Sequence, residues 1–131
     1  MANDKQRANT RGREAETFAA HYLADSGLKL LQKNFRCALG EIDLIMLDHE
    51  TIVFVEVKYR TTHHFGYGME YVSASKQRKL RNTALIFMKK NTQYGSLAQR
   101  FDVVDVSPSR SPATPNNLEV NWLKNALEMD W

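Results

Sequence analysis

Apolar and polar positions alternate along the chain with two different periods, and these periods predict its main elements. From residue 13 to about residue 25, apolar side chains recur at steps of three and four, and Gly27 stands where a left-handed cap would end a helix. Two runs rich in β-branched and aliphatic residues, 40–47 and 51–60, are separated by three residues. They predict an antiparallel hairpin.

The remaining segments complete a single α/β pattern. In chain order they are a basic and flexible arm over residues 1–12, a strand at 28–35, a loop at 61–72, a helix from Ser73 or Ser75 to about 91, a strand at 100–106, a Ser/Pro-rich loop at 107–117, and an edge strand and tail over 118–131. This order predicts an α/β sandwich, with a mixed sheet, over residues 13–106 and the tail. Because both hairpin strands are apolar at nearly every position, we expect helices on both faces of the sheet.

Composition narrows the class of protein. The chain has 131 residues, 43% of them hydrophobic and 25% charged, which favours one globular domain over a disordered chain. Its single cysteine, Cys37, excludes an intramolecular disulfide. No signal-peptide pattern and no apolar stretch of about 20 residues is present, so we expect a cytoplasmic protein without a membrane partner.

Charge placement is more informative than the net charge of +3. Residues 76–90 contain six basic side chains and no acidic one. Such a run permits a polyanionic partner, although its usual meaning is a solvated helix face. Because the cations spread around the helix axis, only a subset such as Arg78 and Arg81 could line one groove.

The predicted hairpin places two carboxylates opposite each other, an unfavourable arrangement that needs an explanation. If its turn is symmetric, Asp43 faces Glu56 and Glu41 faces Lys58. Directly opposed like charges are destabilising, and an unpaired carboxylate in a buried sheet is costly. A divalent cation such as Mg²⁺, with its preference for oxygen ligands, is the simplest compensation.

Lys58 shares the face of Glu56, so its ammonium could orient water or neutralise charge developing on a phosphate. Two alternatives remain open. Lys58 could pair with Glu41 while Asp43 pairs with an arginine, which would make a structural charge network. A register slip of one residue would send every side chain to the other face. Zinc and nucleophilic serine or cysteine sites lack the necessary spacings.

The residues of this region resemble a known family. Asp43, twelve residues, and then Glu56-Val57-Lys58 match the D-(x)n-E-x-K signature of the restriction-endonuclease-like nuclease superfamily. The fuller string resembles the YraN-type family of uncharacterised bacterial proteins, which is similar in fold to archaeal Holliday-junction resolvases. That string comprises G-E-I-D-L-I at 40–45, F-V-E-V-K at 54–58, Lys76-Gln77-Arg78, and R-F-D-V-V at 100–104.

The resemblance implies a restriction-endonuclease-like α/β/α sandwich and a set of roles. Asp43, Glu56 and the carbonyl of Val57 would hold Mg²⁺ or Mn²⁺, and Lys58 would be the catalytic lysine. Glu16 on the first helix and Gln77 on the second would support the site. The basic residues expected to contact nucleic acid are Arg60, Lys76, Arg78 and Arg81.

The function expected from these residues is metal-dependent hydrolysis of DNA by an endonuclease. Branched or junction DNA is within the implied substrate class, and a homodimer would suit a junction. The alternative is a nucleic-acid-binding module that keeps the nuclease-like fold without catalysis, because a fold alone does not imply a function.

Overall fold

The computed structural model describes residues 4–60, 72–109 and 118–127, with the backbone alone for residues 4–10. The described residues form two α-helices, five strands and a short 3₁₀ turn. They are α1 (Asp4–Asp25), β1 (Lys29–Cys37), β2 (Gly40–Asp48), β3 (Thr51–Tyr59), α2 (Ala74–Lys90), the 3₁₀ turn (Thr92–Tyr94), β4 (Ala98–Pro108) and β5 (Leu118–Leu127).

All five strands belong to one open mixed sheet in the order β1-β2-β3-β4-β5. Only the pair β3 and β4 is parallel, and the other neighbours are antiparallel. The segment between β3 and β4 therefore has to cross from one end of the sheet to the other, and α2 lies in this crossover. The predicted mixed α/β architecture is confirmed.

Two apolar layers sandwich the sheet, as the continuous apolar strands predict. On one face, α1 packs against a core that includes Leu44, Met46, Val53 and Val55. On the other face, α2 packs against a separate core that includes Phe54. None of the helices within the described ranges is long and apolar enough to cross a membrane.

The hairpin of β2 and β3 has the register predicted from a symmetric turn. Its paired positions run from Asp48 opposite Thr51 to Leu44 opposite Val55. Asp43 therefore lies one residue beyond the last paired position, where β2 begins to leave β3. The carboxylates expected to be directly opposed lie at this fork rather than inside the ladder.

A change of face accompanies the fork. Ile42 belongs to the core beneath α2, whereas Leu44 belongs to the core beneath α1. Side chains two residues apart normally share a face, so the alternation of β2 slips at Asp43. Asn34, on the adjacent part of β1, has a left-handed backbone with φ of 51°. Together these irregularities place the Asp43 side chain between the two faces of the sheet.

Several boundaries differ from those predicted. The helix α1 begins at Asp4 rather than Arg13, so the backbone of residues 4–12 is helical where a flexible arm is expected. Each residue added to an existing helix gains a hydrogen bond, so a polar segment can extend a helix that is anchored elsewhere. Ser73 is the N-cap of α2, and Gly27 has φ of 103°, which confirms both predicted caps. The predicted loop at 107–117 begins too early, because β4 continues to Pro108 through its pairing with β5. The predicted loop at 61–72, apart from Val72, lies outside the described residues, as do 110–117 and 128–131.

A buried carboxylate on β4 ties the edge strand β5 to the sheet. Asp102 is 1% exposed and accepts hydrogen bonds from Arg100 Nε (3.1 Å), Trp122 Nε1 (2.9 Å) and the Asn125 N–H (2.8 Å). Arg100 also forms an ion pair with Asp48 at the hairpin turn, at 2.9 Å. Since both oxygens of Asp102 have donors, this charge is compensated inside the fold.

We predict that Asp102→Ala lowers the free energy of unfolding by about 3–5 kcal/mol, because it leaves Arg100 beside a cavity and removes the anchor of β5. Trp122→Phe, which removes one donor, should cost about 1 kcal/mol. Urea denaturation followed by far-ultraviolet circular dichroism measures both. The matched control is Arg36→Ala, which breaks an exposed pair with Glu41 and should cost less than about 1 kcal/mol. An Asp102→Ala loss no larger than that of the control would contradict this account.

Candidate functional site

A polar cavity of about 330 Å³ lies between the fork of the hairpin and the first turn of α2. Asp43 and Glu56 both line it, so the two carboxylates of the hairpin lie at the same cavity. Residues from β2, the N-cap of α2 and α2 itself complete its wall, namely Gly40, Glu41, Ser73, Ser75, Lys76, Lys79 and Leu80. The cavity therefore joins the acidic end of the hairpin to the basic start of a helix.

Asp43 closes the fork through its side chain. Its Oδ2 accepts a hydrogen bond from the Val57 N–H at 2.8 Å, where the backbone ladder of β2 and β3 has ended. Burial, followed by the charge of Glu56, raises the pKa of Asp43 to about 8, against the lowering effect of the Val57 hydrogen bond. The described contacts of Asp43 include no arginine, so the predicted alternative of an Asp43–Arg pair is not what the structure shows.

Glu56 is 6% exposed and holds two ammonium groups on one oxygen. Lys76 Nζ lies 2.6 Å from Glu56 Oε1, and Lys58 Nζ lies 3.4 Å from the same atom. Glu41, the other predicted partner of Lys58, instead pairs with Arg36 at 3.2 Å. The acid centre therefore has two cations from different elements, Lys58 from β3 and Lys76 from α2.

The two lysines have opposite electrostatic tendencies. Burial and the neighbouring Lys76 lower the pKa of Lys58, although Glu56 acts in the other direction. Burial also lowers the pKa of Lys76, but its hydrogen bond to Glu56 and the charges of Glu56 and Asp43 outweigh burial and raise it. Lys58 is consequently the amine that gives up a proton more readily.

A second polar cavity, of about 360 Å³, opens on the α1 side of the same fork. Asp43 lines it too, together with Gly12, Arg13, Glu16, Asn34, Arg36 and Glu41. The Asn34 amide, oriented to suit its neighbours, donates to Glu41 Oε1 at 3.1 Å and Glu16 Oε2 at 3.2 Å. Burial raises the pKa of Glu16, and the neighbouring charges of Glu41 and Glu56 raise it further. The hydrogen bond from Asn34 lowers it, but by less than these effects together. Glu16 thus lines a cavity with Asp43, on the opposite side of the sheet from α2, and its predicted role at a metal stays a prediction.

The acid pair fits a hard divalent cation. Within the described ranges, no three histidine, cysteine, aspartate or glutamate side chains converge on one point. Two carboxylates remain, and Mg²⁺ is commonly bound by one or two carboxylates with waters and a phosphate completing its shell. The positive charge beside Glu56 is supplied by the ammonium groups of Lys58 and Lys76. Val57 contributes its N–H to Asp43, and a role for its carbonyl stays a prediction.

Other predicted site residues lie away from the acid pair. Gln77 turns its amide back to the Val72 carbonyl, at 2.9 Å, where it secures the start of α2. Arg60 lies beyond β3 with its Nε 3.7 Å from Asp105 Oδ1. Arg78 and Arg81, on α2, line neither of the two cavities. The predicted nucleic-acid contacts are therefore dispersed, and Lys76 alone among them reaches the carboxylates.

Several cavity residues were not predicted as part of the site, and Lys79, Ser73 and Asn34 are the most relevant of them. Lys79 lies one helical turn from Lys76, a spacing that could have indicated a shared face. Ser73 was recognised only as a cap. Asn34 gave no signal, because a polar residue on an exposed edge strand is ordinary and its left-handed φ is not legible in the pattern.

A comparison with protein families matches residues 15–106 to the uncharacterised protein family UPF0102. The chain belongs to this family. Among UPF0102 relatives, a protein of Pseudomonas putida KT2440 is 44% identical over 117 residues, which cover 89% of this chain and 91% of the relative. A UPF0102 protein of Stutzerimonas stutzeri A1501 is 43% identical over 117 residues, covering 89% and 93%. One from Vibrio parahaemolyticus serotype O3:K6 is 40% identical over 116 residues, covering 88% and 90%.

The UPF0102 match confirms the family part of the sequence resemblance. It covers the fork, the acid pair and the first turn of α2 in one continuous segment. The name of the family carries no activity, so the chemistry of the UPF0102 site has to be argued from its residues.

The raised pKa of Asp43 predicts that the free energy of unfolding of this UPF0102 protein depends on pH. Between the ordinary value of 3.8 and about 8, the folded carboxyl keeps a proton that the unfolded chain loses. Stability therefore falls as pH rises through this window, by up to about 1.4 kcal/mol per pH unit for one proton. Asp43→Asn keeps an oxygen for the Val57 N–H and cannot ionise.

We expect the stability of Asp43→Asn relative to wild type to increase with pH across that window and to level off above it. Urea denaturation in EDTA at a series of pH values measures the difference. Glu50→Gln, at the exposed hairpin turn, is the control and should show a nearly constant difference. A strongly destabilised Asp43→Asn at pH 8 would assign Asp43 to a structural ion pair instead.

Proposed function

We propose that this chain is a divalent-metal-dependent DNA endonuclease on a restriction-endonuclease-like fold. The observation that carries the proposal is one cavity in which Asp43 and Glu56 meet, with Lys58 on the Glu56 carboxylate. The spacing of these three residues is that of the D-(x)n-E-x-K signature. The mixed sheet between two helices is compatible with that superfamily.

Each residue of the centre has a definite task in this proposal. Asp43 and Glu56 hold Mg²⁺ or Mn²⁺, which when bound polarises a phosphate oxygen and makes water more acidic. Lys58, whose pKa is lowered by burial and by Lys76, would act in one of two protonation states: as a neutral amine it could accept a proton from the attacking water, and as an ammonium it would neutralise charge on the phosphate. Glu56 fixes the position of the Lys58 ammonium by their ion pair.

The basic wall of the cavity supports a phosphodiester as the substrate. Lys76 and Lys79 face the same space as the acid pair, and Ser73 and Ser75 add hydroxyl groups. Cations and hydroxyls are the usual contacts of the nucleic-acid backbone. DNA, including branched and junction forms, is the proposed partner, with Arg60, Arg78 and Arg81 as contacts beyond the cavity.

A nucleic-acid-binding module without catalysis is the second candidate. It is favoured by the salt bridge of Lys76 with Glu56, which neutralises one carboxylate without a metal. It also agrees with the lack of a third converging ligand side chain among the described residues. The two candidates differ in turnover and not in DNA binding.

Metal binding is the first expected property. Mg²⁺ or Mn²⁺ should raise the thermal midpoint of the wild-type protein, since a ligand at a hundredfold excess over its Kd adds about 2.7 kcal/mol. Differential scanning fluorimetry with and without EDTA measures the shift. Asp43→Asn should abolish the shift, whereas Asp48→Asn, an acid at the far end of the same strand, should retain it. An equal shift in wild type and Asp43→Asn would place the cation elsewhere.

Cleavage and DNA binding should separate by mutation. Wild-type protein is incubated with duplex, flap, single-stranded and four-way DNA in Mg²⁺ or Mn²⁺, with EDTA as the blank. Lys58→Ala should keep most of its affinity, measured in Ca²⁺, and lose turnover, because its task is at the transition state. Arg78→Ala with Arg81→Ala should weaken binding to every sequence and reduce the salt slope by about 2.

Two results would redirect the assignment. Cleavage by Lys58→Ala at the wild-type rate would mean that this cavity is not the nuclease centre. If wild type binds DNA but cuts none of the substrates, the binding-module candidate replaces the enzyme.

A further inference from the structure

We propose that Lys76 is an exchangeable counter-ion of the acid pair: its ammonium neutralises Glu56 in the metal-free protein, leaves when a divalent cation binds, and is then available to a phosphate. The inference rests on the proposed function, because it concerns the same cation and the same cavity. It assigns to Lys76 the task of linking metal binding to substrate binding.

The contact itself is the first argument. Lys76 Nζ approaches Glu56 Oε1 to 2.6 Å, closer than Lys58 Nζ at 3.4 Å. Glu56 lies within the sheet at 6% exposure, so its carboxylate depends on protein groups rather than on water. A cation that takes Glu56 as a ligand must therefore compete with the ammonium that already satisfies it.

Charge balance gives the second argument. Asp43 and Glu56 can carry two negative charges, and Lys58 and Lys76 two positive ones. A divalent cation adds two further positive charges to a poorly hydrated centre, where Coulomb energies are several times larger than in water. Release of one ammonium from Glu56 relieves that excess.

Exposure decides which lysine leaves. The Lys76 side chain is 41% exposed, against 20% for Lys58. Lys76 also stands in the first turn of α2, across the cavity from β3, so its flexible side chain can swing without moving the sheet. The Lys58 side chain extends from β3, two residues from Glu56, and is more buried, so it has less freedom to move away from Glu56.

The cavity offers the released ammonium one chemical class of partner. Ser73, Ser75 and Lys79 line the space around it, and these groups suit the oxygens of a phosphate. A phosphodiester bound there would meet Lys76 only after the ammonium has left Glu56. Metal and DNA should accordingly bind with positive coupling, which is reciprocal by thermodynamic necessity.

The test is a calorimetric titration of the metal-free proteins with Mn²⁺, without DNA. Lys76→Met should bind Mn²⁺ about tenfold more tightly than wild type, since the competitor is gone. Lys79→Met is the matched control, because Lys79 lines the same cavity but has no ion pair with Glu56. It should stay within about twofold of wild type, because a more distant charge contributes less. A merely structural role for Lys76 would weaken Mn²⁺ binding.

A second variant and a measurement on the wild-type protein keep the test valid if Lys76→Met misfolds. Lys76→Gln keeps a hydrogen-bond donor and should also bind Mn²⁺ more tightly than wild type. In the wild-type protein, the ¹⁵Nζ resonance of Lys76 should shift during a Mg²⁺ titration by more than that of Lys79. An unchanged Lys76 resonance at saturating Mg²⁺ would overturn the inference whatever the variants do.

The outcomes separate the two proposals. If wild type binds Mn²⁺ and the Lys76 variants bind it no more tightly, counter-ion exchange is wrong and the metal site stands. If none of the proteins binds Mn²⁺, the metal site is wrong and the inference falls with it.

The link to phosphate is tested by fluorescence anisotropy with a labelled 12-base-pair duplex in Ca²⁺ and in EDTA. The gain in affinity on adding Ca²⁺ should be several-fold smaller in Lys76→Met than in Lys79→Met, because only Lys76 is released by the cation. Equal gains in the two variants would show that the freed ammonium does not contact the duplex.

Discussion

The hydrogen bond from the Val57 N–H to Asp43 Oδ2 is the contact on which the acid centre depends. It lies where the backbone ladder between β2 and β3 has ended, and it joins the two strands through a side chain instead. Because β2 can part from β3 at this point, a cavity forms between the fork and the first turn of α2, beside a sheet that is otherwise covered by apolar layers. The same separation lets Asp43 and Glu56 line one cavity.

Contacts elsewhere in the fold stabilise the sheet around the destabilising pair of Asp43 and Glu56. Asp102 is fully paired and fixes β5, while Arg100 connects β4 to the hairpin turn through Asp48. Two independent apolar layers hold β2 and β3 from both sides. Burial of like charges at Asp43 and Glu56 is destabilising, and proteins retain such violations chiefly at functional sites, where the rest of the fold offsets them. Asp102 has hydrogen-bond donors on both of its oxygens, whereas Asp43 lies beside a second carboxylate and has a raised pKa.

Much of the frame was predictable because its signals are local. The symmetric turn between β2 and β3 set the register, and continuous apolar strands indicated two covering helices. Ser73 and Gly27 marked the ends of α2 and α1 by their capping chemistry. The early start of α1 was not predictable, since polar residues that extend a helix from an anchored turn look like a solvated arm.

The details of the site were less accessible to sequence reasoning. The juxtaposition of Asp43 with Glu56 followed from register, but the fork did not, because it depends on a slipped alternation and on the left-handed backbone of Asn34. The salt bridge of Lys76 with Glu56 joins α2 to β3 through tertiary packing, which no spacing along one element encodes. Gln77 was expected beside the acids and instead secures the start of its own helix.

Asp43 borders both polar cavities, one on each side of the sheet. The Asp43 side chain can therefore be approached from two cavities, one beside α2 and one beside α1. A bulky ligand bound against α2 would fill the first cavity and leave the second accessible to water and small ions. Occupancy of the cavity beside α2 would therefore not by itself close the cavity beside α1.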